Sequence, residues 1–169
     1  MVWCSENFQV TNFLHGNHSI LKWLAATKAA NPVAGRRIND DHVCSGSSAT
    51  DGAKQAYYRS LIPFLAQGDG GGLLTGFGCE SHMDGQFLPA PTDMLEWYET
   101  IGHIGGPNFT VRVTEFDVDN LGPHDSELYA DFLRDTLIAA YSSPSADGFL
   151  MWLVYHCRDH SCVPDYYPY

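Results

Sequence analysis

Carboxylate and imidazole side chains stand near the ends of apolar, strand-like runs in this chain. Glu115 and Asp117 lie in one such run, and Glu80 and His82 follow another. Because the C-terminal ends of parallel strands build the active sites of α/β proteins, these groups are predicted to meet in one site. A carboxylate inside an apolar strand is costly unless it has a partner, so Glu115 is the leading candidate for a functional carboxylate. A structural, ion-paired glutamate at a strand end is the alternative.

The elements that must position these groups alternate along the chain. Apolar residues at helical spacing predict four helices, over residues 20–30, 51–67, 93–101 and 127–141. Thr92 is a suitable N-cap for the third helix. Strand-like runs cover residues 33–39, 73–79, 109–117 and 148–155, and the last is apolar enough for a strand that is buried on both faces. The regular alternation predicts an α/β fold with about five parallel strands and four intervening helices. Since a closed (β/α)8 barrel takes roughly 250 residues, we expect a partial TIM barrel.

Length and composition fit one compact globular domain. The chain has 169 residues, of which 44% are hydrophobic and 17% are charged. Acidic residues outnumber basic ones 20 to 9, which gives a formal net charge of −11. This excess disfavours nucleic acid as a partner, because phosphate binding needs Lys and Arg. No apolar run approaches the roughly 20 residues of a membrane span, so no membrane partner is predicted.

The cysteines and the N-terminus bear on the cellular compartment. Among five cysteines, Cys157 and Cys162 are close enough in sequence to form a disulfide in a secreted chain. Cys79 lies in a strand-like run and is predicted to be a small core residue. The first residues lack the pattern of a signal peptide, which leaves a cytosolic protein or a missing beginning. N-glycosylation patterns at Asn17 and Asn108 favour secretion weakly.

Four short motifs follow one another in the chain: Ile38–Asp40, Gly76–His82, Val113–Asp117 and Gly148–Trp152. In this order and spacing they resemble strands of glycoside hydrolase family 10, the endo-1,4-β-xylanases, and look closest to the animal or plant-like branch. The resemblance extends from about residue 14 to residue 152 and corresponds to the C-terminal half of the catalytic domain. Residues 1–169 are therefore predicted to form a single, incomplete catalytic domain of this kind.

The resemblance implies a retaining glycoside hydrolase that cleaves O-glycosidic bonds in xylan or xylooligosaccharides, with no cofactor and no metal. In that mechanism Glu115 is the nucleophile that forms a glycosyl-enzyme. His82 would hold Glu115 through a hydrogen bond, and Asp117 would orient His82. The resemblance also implies an extracellular protein that acts in polysaccharide degradation.

Three more residues are predicted to contact substrate. Asn39 would hydrogen-bond a sugar hydroxyl, with capping of a turn as the alternative. Trp152 would stack on a sugar ring, with burial in the core as the alternative. Glu80 stands where the family usually has Gln, which adds a negative charge beside Glu115.

The chain departs from the family at the acid/base carboxylate. The expected position falls near Asn12, just before the matching Leu14–Gly16. An asparagine cannot donate a proton as a carboxylic acid does. Glu6 would serve only if the loop were rearranged. Two hypotheses follow: a truncated or degenerate xylanase, or a non-catalytic pseudoenzyme or carbohydrate-binding fragment.

Two further expectations concern partners and metals. A half barrel leaves strand edges and apolar faces uncovered, so self-association through these edges is expected. A third class of function is a metal site at His156–Cys162, where the residue types suit zinc but the spacing matches no common zinc finger. A disulfide or a surface loop fits this segment better.

Overall fold

A computed structural model of the chain describes residues 2–3, 16–44, 49–67, 71–119, 126–152, 155–158 and 161–164. Five parallel strands form one sheet: β1 (Val2–Trp3), β2 (Arg37–Asp41), β3 (Gly76–Asp84), β4 (Thr110–Asp119) and β5 (Ala146–Phe149). Four helices alternate with them: α1 (His18–Ala30), α2 (Ala49–Ala66), α3 (Pro91–Gly105) and α4 (Ser126–Ser142). A separate antiparallel hairpin consists of β6 (Tyr155–Arg158) and β7 (Ser161–Pro164).

The strand order is that of one part of a (β/α)8 barrel. β1 to β5 are neighbours in the order in which they occur along the chain, and each pair is parallel. A doubly wound sheet would instead reverse its order at a switch point. Because crossovers between parallel strands are right-handed as a rule, this order puts the helices on one face, and α3 contacts both α2 and α4. The predicted α/β fold, a partial TIM barrel, is confirmed.

The two faces of the sheet differ in polarity. On the helical face, Phe77 of β3 packs edge-on against Tyr58 of α2, and Phe116 of β4 stacks near Phe132 of α4. These four side chains are buried in one continuous apolar core. Burial of each large side chain contributes roughly 1.5–3 kcal/mol, so this face holds the sheet to its helices. The opposite face is left to carry polar groups.

A β-bulge interrupts the pairing of β3 with β4. Cys79 is opposite Val113, but the next residue of β3 is opposite Glu115, so Thr114 is an extra residue in β4. Without a bulge, every side chain of β4 beyond Thr114 would change faces, because successive strand residues alternate. The bulge therefore keeps the apolar residues of β4 against the helices and Glu115 on the polar face.

Most boundaries differ by a few residues from the predicted ones, and β3 continues past its predicted end at Cys79 to Asp84, so that Glu80 and His82 lie within the strand. The last strand of the parallel sheet, β5, ends at Phe149 instead of continuing to Tyr155, and residues 150–152 are exposed rather than buried. The reason is that, within the described residues, β5 has a strand neighbour only on the β4 side. α3 begins at Pro91, whose ring suits the first turn of a helix, so Thr92 lies inside the helix and is not its N-cap.

The cysteine prediction is corrected as well. Cys79 is buried, as predicted, but it forms a disulfide with Cys44, which lies just after β2. The bond links the end of β2 to the middle of β3. Cys157 and Cys162 occupy opposite positions of the β6–β7 hairpin, and their disulfide stays a prediction.

The two edges of the sheet are where another chain could pair with it. Among the described residues, β1 and β5 each pair with one neighbouring strand. Self-association through these edges stays a prediction.

None of the described helices is both long enough and apolar enough to cross a membrane.

Candidate functional site

Four titratable side chains project from neighbouring strands towards their C-terminal ends. Glu80 and His82 belong to β3, and Glu115 and Asp117 belong to β4. Glu80 is opposite Glu115 and His82 is opposite Asp117, because the bulge realigns the two strands just before these positions. The C-terminal strand ends are where barrel enzymes place their active sites. The structure therefore brings together the four residues that were predicted to meet.

His82 bridges the two carboxylates of β4. Its Nδ1 lies 2.8 Å from Asp117 Oδ1, and its Nε2 lies 3.1 Å from Glu115 Oε2. The hydrogen bond to Asp117 raises the pKa of His82 from 6.5 to about 9, against the opposing effect of burial and with a further contribution from Glu115. At neutral pH the ring is an imidazolium that donates from both nitrogens. It thereby fixes one oxygen of the Glu115 carboxylate.

Asn39 of β2 extends the network to a third strand. Thr114 Oγ1 donates to Asn39 Oδ1 over 2.6 Å, and Asn39 Nδ2 donates to Glu80 Oε1. Asn39 is completely buried, and Glu80 is 5% exposed. A side chain on Gly78 would collide with Asn39 Oδ1, so glycine leaves the room that the amide needs. In this structure Asn39 positions Glu80, and its contact with a sugar hydroxyl stays a prediction.

The pKa of Glu80 is raised from 4.5 to about 7. Burial is the main cause, and the negative charges of Glu115 and Asp41, with a smaller effect of Asp40, add to it. His82 acts in the opposite direction. Carboxylates that lie side by side in a buried site resist ionising together. Glu80 is therefore a neutral carboxylic acid at mildly acidic pH.

A buried cation supports the end of β2 from the helical face. Lys54 of α2 is only 4% exposed. Its Nζ lies 3.4 Å from Asp40 Oδ1, and it also forms an ion pair with Asp41. Tyr58 donates a hydrogen bond to Asp40 Oδ2 over 2.5 Å. Burial nevertheless raises the pKa of Asp40 to about 6. Lys54 and Tyr58 were not predicted as part of the site, although their spacing of four residues, which puts them on one face of α2, is a signal in the sequence.

Trp152 approaches the cluster from beyond β5. Its ring centroid is 5.7 Å from that of His82, and the two rings are nearly perpendicular at 86°. The Trp152 backbone N–H donates to Phe116 O over 2.9 Å, which keeps this segment alongside β4. Trp152 is 56% exposed, so the alternative of a buried core tryptophan does not hold. An indole face is available to a ring-shaped ligand.

Glu80, His82 and Glu115 are close enough to be considered as metal ligands, since one donor atom of each lies within 4.8 Å of the others. Both ring nitrogens of His82, however, already face carboxylates, and the raised pKa keeps the ring protonated. The chemistry of the cluster is that of a hydrogen-bonded acid–base site.

Part of the predicted site lies outside the described residues. The structure describes neither Asn12, which marks the expected acid/base position, nor Glu6. In the segment 156–162, the backbone forms the β6–β7 hairpin, and residues 159–160 are not described. The zinc alternative for this segment is untested.

The fold resembles that of solved xylanases. A thermostable mutant of a xylanase from Cellvibrio japonicus matches with a TM-score of 0.68 and 18% identity, covering 84% of this chain and 45% of that one. A glycosylated endo-β-1,4-xylanase of glycoside hydrolase family 10 from Gloeophyllum trabeum matches with a TM-score of 0.64 and 20% identity, covering 85% and 42%. A mutant xylanase A from P fluorescens subsp. cellulosa, in complex with xylopentaose, matches with a TM-score of 0.61 and 16% identity, covering 84% and 45%.

These comparisons show a fold like that of family 10 xylanases. The chain spans less than half the length of the solved structures that it matches. No family model matches the chain, and no curated protein does. The fold is thus established by similarity of structure, and the activity has to be argued from the site.

Proposed function

We propose that this chain is part of a retaining glycoside hydrolase of the endo-1,4-β-xylanase type, similar to the animal or plant-like branch of family 10. The observation that carries the proposal is the hydrogen-bonded series Glu115–His82–Asp117 at the C-terminal ends of the strands. The fold supports it, since solved structures of similar fold are xylanases and one of them holds xylopentaose. The substrate in this proposal is xylan or a xylooligosaccharide.

Glu115 is the nucleophile in this mechanism. Its carboxylate attacks the anomeric carbon, the glycosidic C–O bond breaks, and a covalent glycosyl-enzyme forms that water then hydrolyses. His82 holds Glu115 Oε2, which leaves the other oxygen for the attack. Asp117 holds the opposite side of the imidazole ring and so fixes its orientation. Trp152 offers its exposed face to a sugar ring.

A second candidate function is a carbohydrate-binding pseudoenzyme. In a retaining glycosidase, a carboxylic acid about 5–5.5 Å from the nucleophile must protonate the leaving oxygen. The position expected to carry that acid falls near Asn12. This observation favours a protein that keeps the cleft and the nucleophile but does not turn over natural substrate.

We also propose an extracellular location. The disulfide between Cys44 and Cys79 supports it, because such bonds form and persist in oxidising compartments. Asn108, the first residue of one glycosylation pattern, is exposed in a turn between α3 and β4, where a glycan can be accommodated.

The nucleophile is tested by covalent labelling with a 2-fluoro xylobioside that carries a dinitrophenolate leaving group. This group departs as an anion, so labelling needs the nucleophile and the cleft but not the acid. Peptide mass spectrometry should find one adduct on Glu115. The adduct should be lost in Glu115→Gln and kept in Glu99→Gln, which alters an exposed glutamate of α3. A folded chain without an adduct on Glu115 would contradict the proposal.

A xylan assay on the same protein separates the two candidate functions. Release of reducing sugars at a rate that Glu115→Gln abolishes would identify an enzyme. Binding of xylooligosaccharides without hydrolysis would identify the pseudoenzyme. Absence of both binding and labelling would exclude the two together.

A further inference from the structure

Glu80 and Glu115 face one another across the bulge. One carboxyl oxygen of each lies within 4.8 Å of the other, and within the described part of the chain no direct hydrogen bond joins them. For two carboxyl oxygens up to 4.8 Å apart, a single oxygen atom can lie at ordinary hydrogen-bond lengths of about 2.7–2.8 Å from both. The pair therefore has the spacing that suits a single hydroxyl group.

The two oxygens of Glu80 have different surroundings. Oε1 accepts a hydrogen bond from Asn39 Nδ2, and the oxygen of that amide is held in turn by Thr114. In the neutral form of Glu80 the proton is therefore on Oε2. Because Glu80 is 5% exposed, bulk water offers little stabilisation to its ionised form.

The charges around Glu80 also favour its neutral form. Glu115 is opposite Glu80 on β4 and Asp41 is opposite it on β2. Asp40, whose side chain bonds to Tyr58 and Lys54 of α2, adds a smaller effect. The negative charges of these carboxylates oppose the ionisation of Glu80.

The two cations nearby are engaged by other carboxylates. His82 follows Glu80 on β3, but both of its ring nitrogens bond to carboxylates of β4. Lys54 of α2 pairs with the two aspartates at the end of β2. The surroundings of Glu80 thus remain acidic on balance.

We propose that Glu80 acts as a neutral carboxylic acid in this site and donates a hydrogen bond to a ligand hydroxyl, which in turn donates to Glu115. This inference rests on the proposed function and deepens it by assigning the group that binds one hydroxyl of the sugar. An ionised Glu80 has no proton to donate, so binding weakens as the pH rises through its pKa of about 7. Between pH 6 and pH 8 the neutral fraction falls about tenfold, and the affinity is expected to fall with it.

The test is calorimetric binding of unmodified xylotriose, which keeps every hydroxyl group, at pH 6 and pH 8. The unaltered chain and the exposed control Glu99→Gln should both lose about tenfold in affinity between these values. Glu80→Gln keeps an N–H donor but does not titrate, so its affinity should stay within about threefold of the unaltered chain at pH 6 and should not fall at pH 8. A tenfold loss retained in Glu80→Gln would overturn the proposal, because another group such as Asp40 would then be titrating. A loss above threefold at pH 6 would overturn it too.

A second measurement needs neither ligand nor a stable variant. Difference infrared spectroscopy of the ligand-free chain should show a protonated carboxyl band that disappears with a midpoint near pH 7. If all such bands are lost below pH 5.5, Glu80 is already ionised at pH 6 and the proposal is wrong. Failure of the proposed function is distinct, since it appears as no labelling of Glu115 at any pH.

Discussion

Thr114 and Glu115 are consecutive residues of β4, yet their side chains enter the same hydrogen-bonded cluster. Thr114 bonds to Asn39, and Glu115 bonds to His82. In a regular strand, consecutive side chains point to opposite faces. The bulge at Thr114 interrupts this alternation at one position. The extra residue thus adds a second side chain to the site without moving the apolar residues of β4 away from the helices.

Replacing Thr114 with Val tests this contribution of the bulge. The variant keeps the shape of the side chain but leaves Asn39 Oδ1 buried without its donor, which is expected to cost about 1–3 kcal/mol of unfolding free energy. Thr136→Val is the matched control, because Thr136 is also buried but its hydroxyl has no hydrogen-bond partner in the described part of the chain. That variant should be nearly neutral. Urea denaturation of the three proteins measures both effects, and equal losses would argue against a specific role for the Thr114 hydroxyl.

The spacing of apolar residues in β4 could have revealed the bulge. The residues that face the helices step by two, then by three, then by two: Val111, Val113, Phe116 and Val118. A step of three in a strand indicates one extra residue. The strands, the helices and the polar residues at the strand ends were predictable because each follows from a local pattern.

Contacts between distant parts of the chain could not be predicted in this way. The disulfide joins Cys44 and Cys79 across 35 positions, and no local pattern selects that pair from five cysteines. The burial of Lys54 depends on where α2 packs, which its own sequence does not state. Trp152 is exposed because, among the described residues, β5 has a strand partner on one side only, whereas the apolar neighbours of Trp152 indicated burial.

Reduction of the disulfide between Cys44 and Cys79 is expected to lower the unfolding free energy by about 3–4 kcal/mol. The bond spans 35 positions, so it removes much loop entropy from the unfolded chain. Denaturation with and without reductant measures the loss. The double variant Cys44→Ala, Cys79→Ala is the control, because any change in its unfolding free energy on adding reductant comes from the other cysteines. Equal responses to reductant in the two proteins would show that this bond contributes nothing.

Asp117→Asn is expected to lower the pKa of His82 more than Glu115→Gln does. The hydrogen bond to Asp117 is the largest cause of the shift to about 9, and Glu115 contributes less. NMR titration of the imidazole gives the three midpoints directly. The reverse order would mean that Glu115 is the principal partner of the ring.

The same shift predicts how stability depends on pH. Because folding raises the pKa of His82 above 6.5, the stability that it contributes is fully present below pH 6.5 and is lost as the pH rises through about 9. Asp117→Asn should therefore destabilise the chain at pH 6 and have a much smaller effect at pH 10. A loss that is equal at the two pH values would assign the effect to packing rather than to the charge on His82.

Trp152→Ala is expected to weaken xylooligosaccharide binding by about two- to tenfold, since stacking of an aromatic face contributes about 0.5–1.5 kcal/mol. Trp23→Ala on α1 is the control, because Trp23 is also exposed, at 41% against 56% for Trp152. Trp152→Phe keeps a stacking face and should retain most of the affinity. Since the Trp152 ring also touches His82 edge-on, the His82 titration must be measured in each variant. Lost affinity with an unchanged His82 midpoint assigns the effect to stacking, and a shifted midpoint would assign it to the Glu115–His82 contact instead.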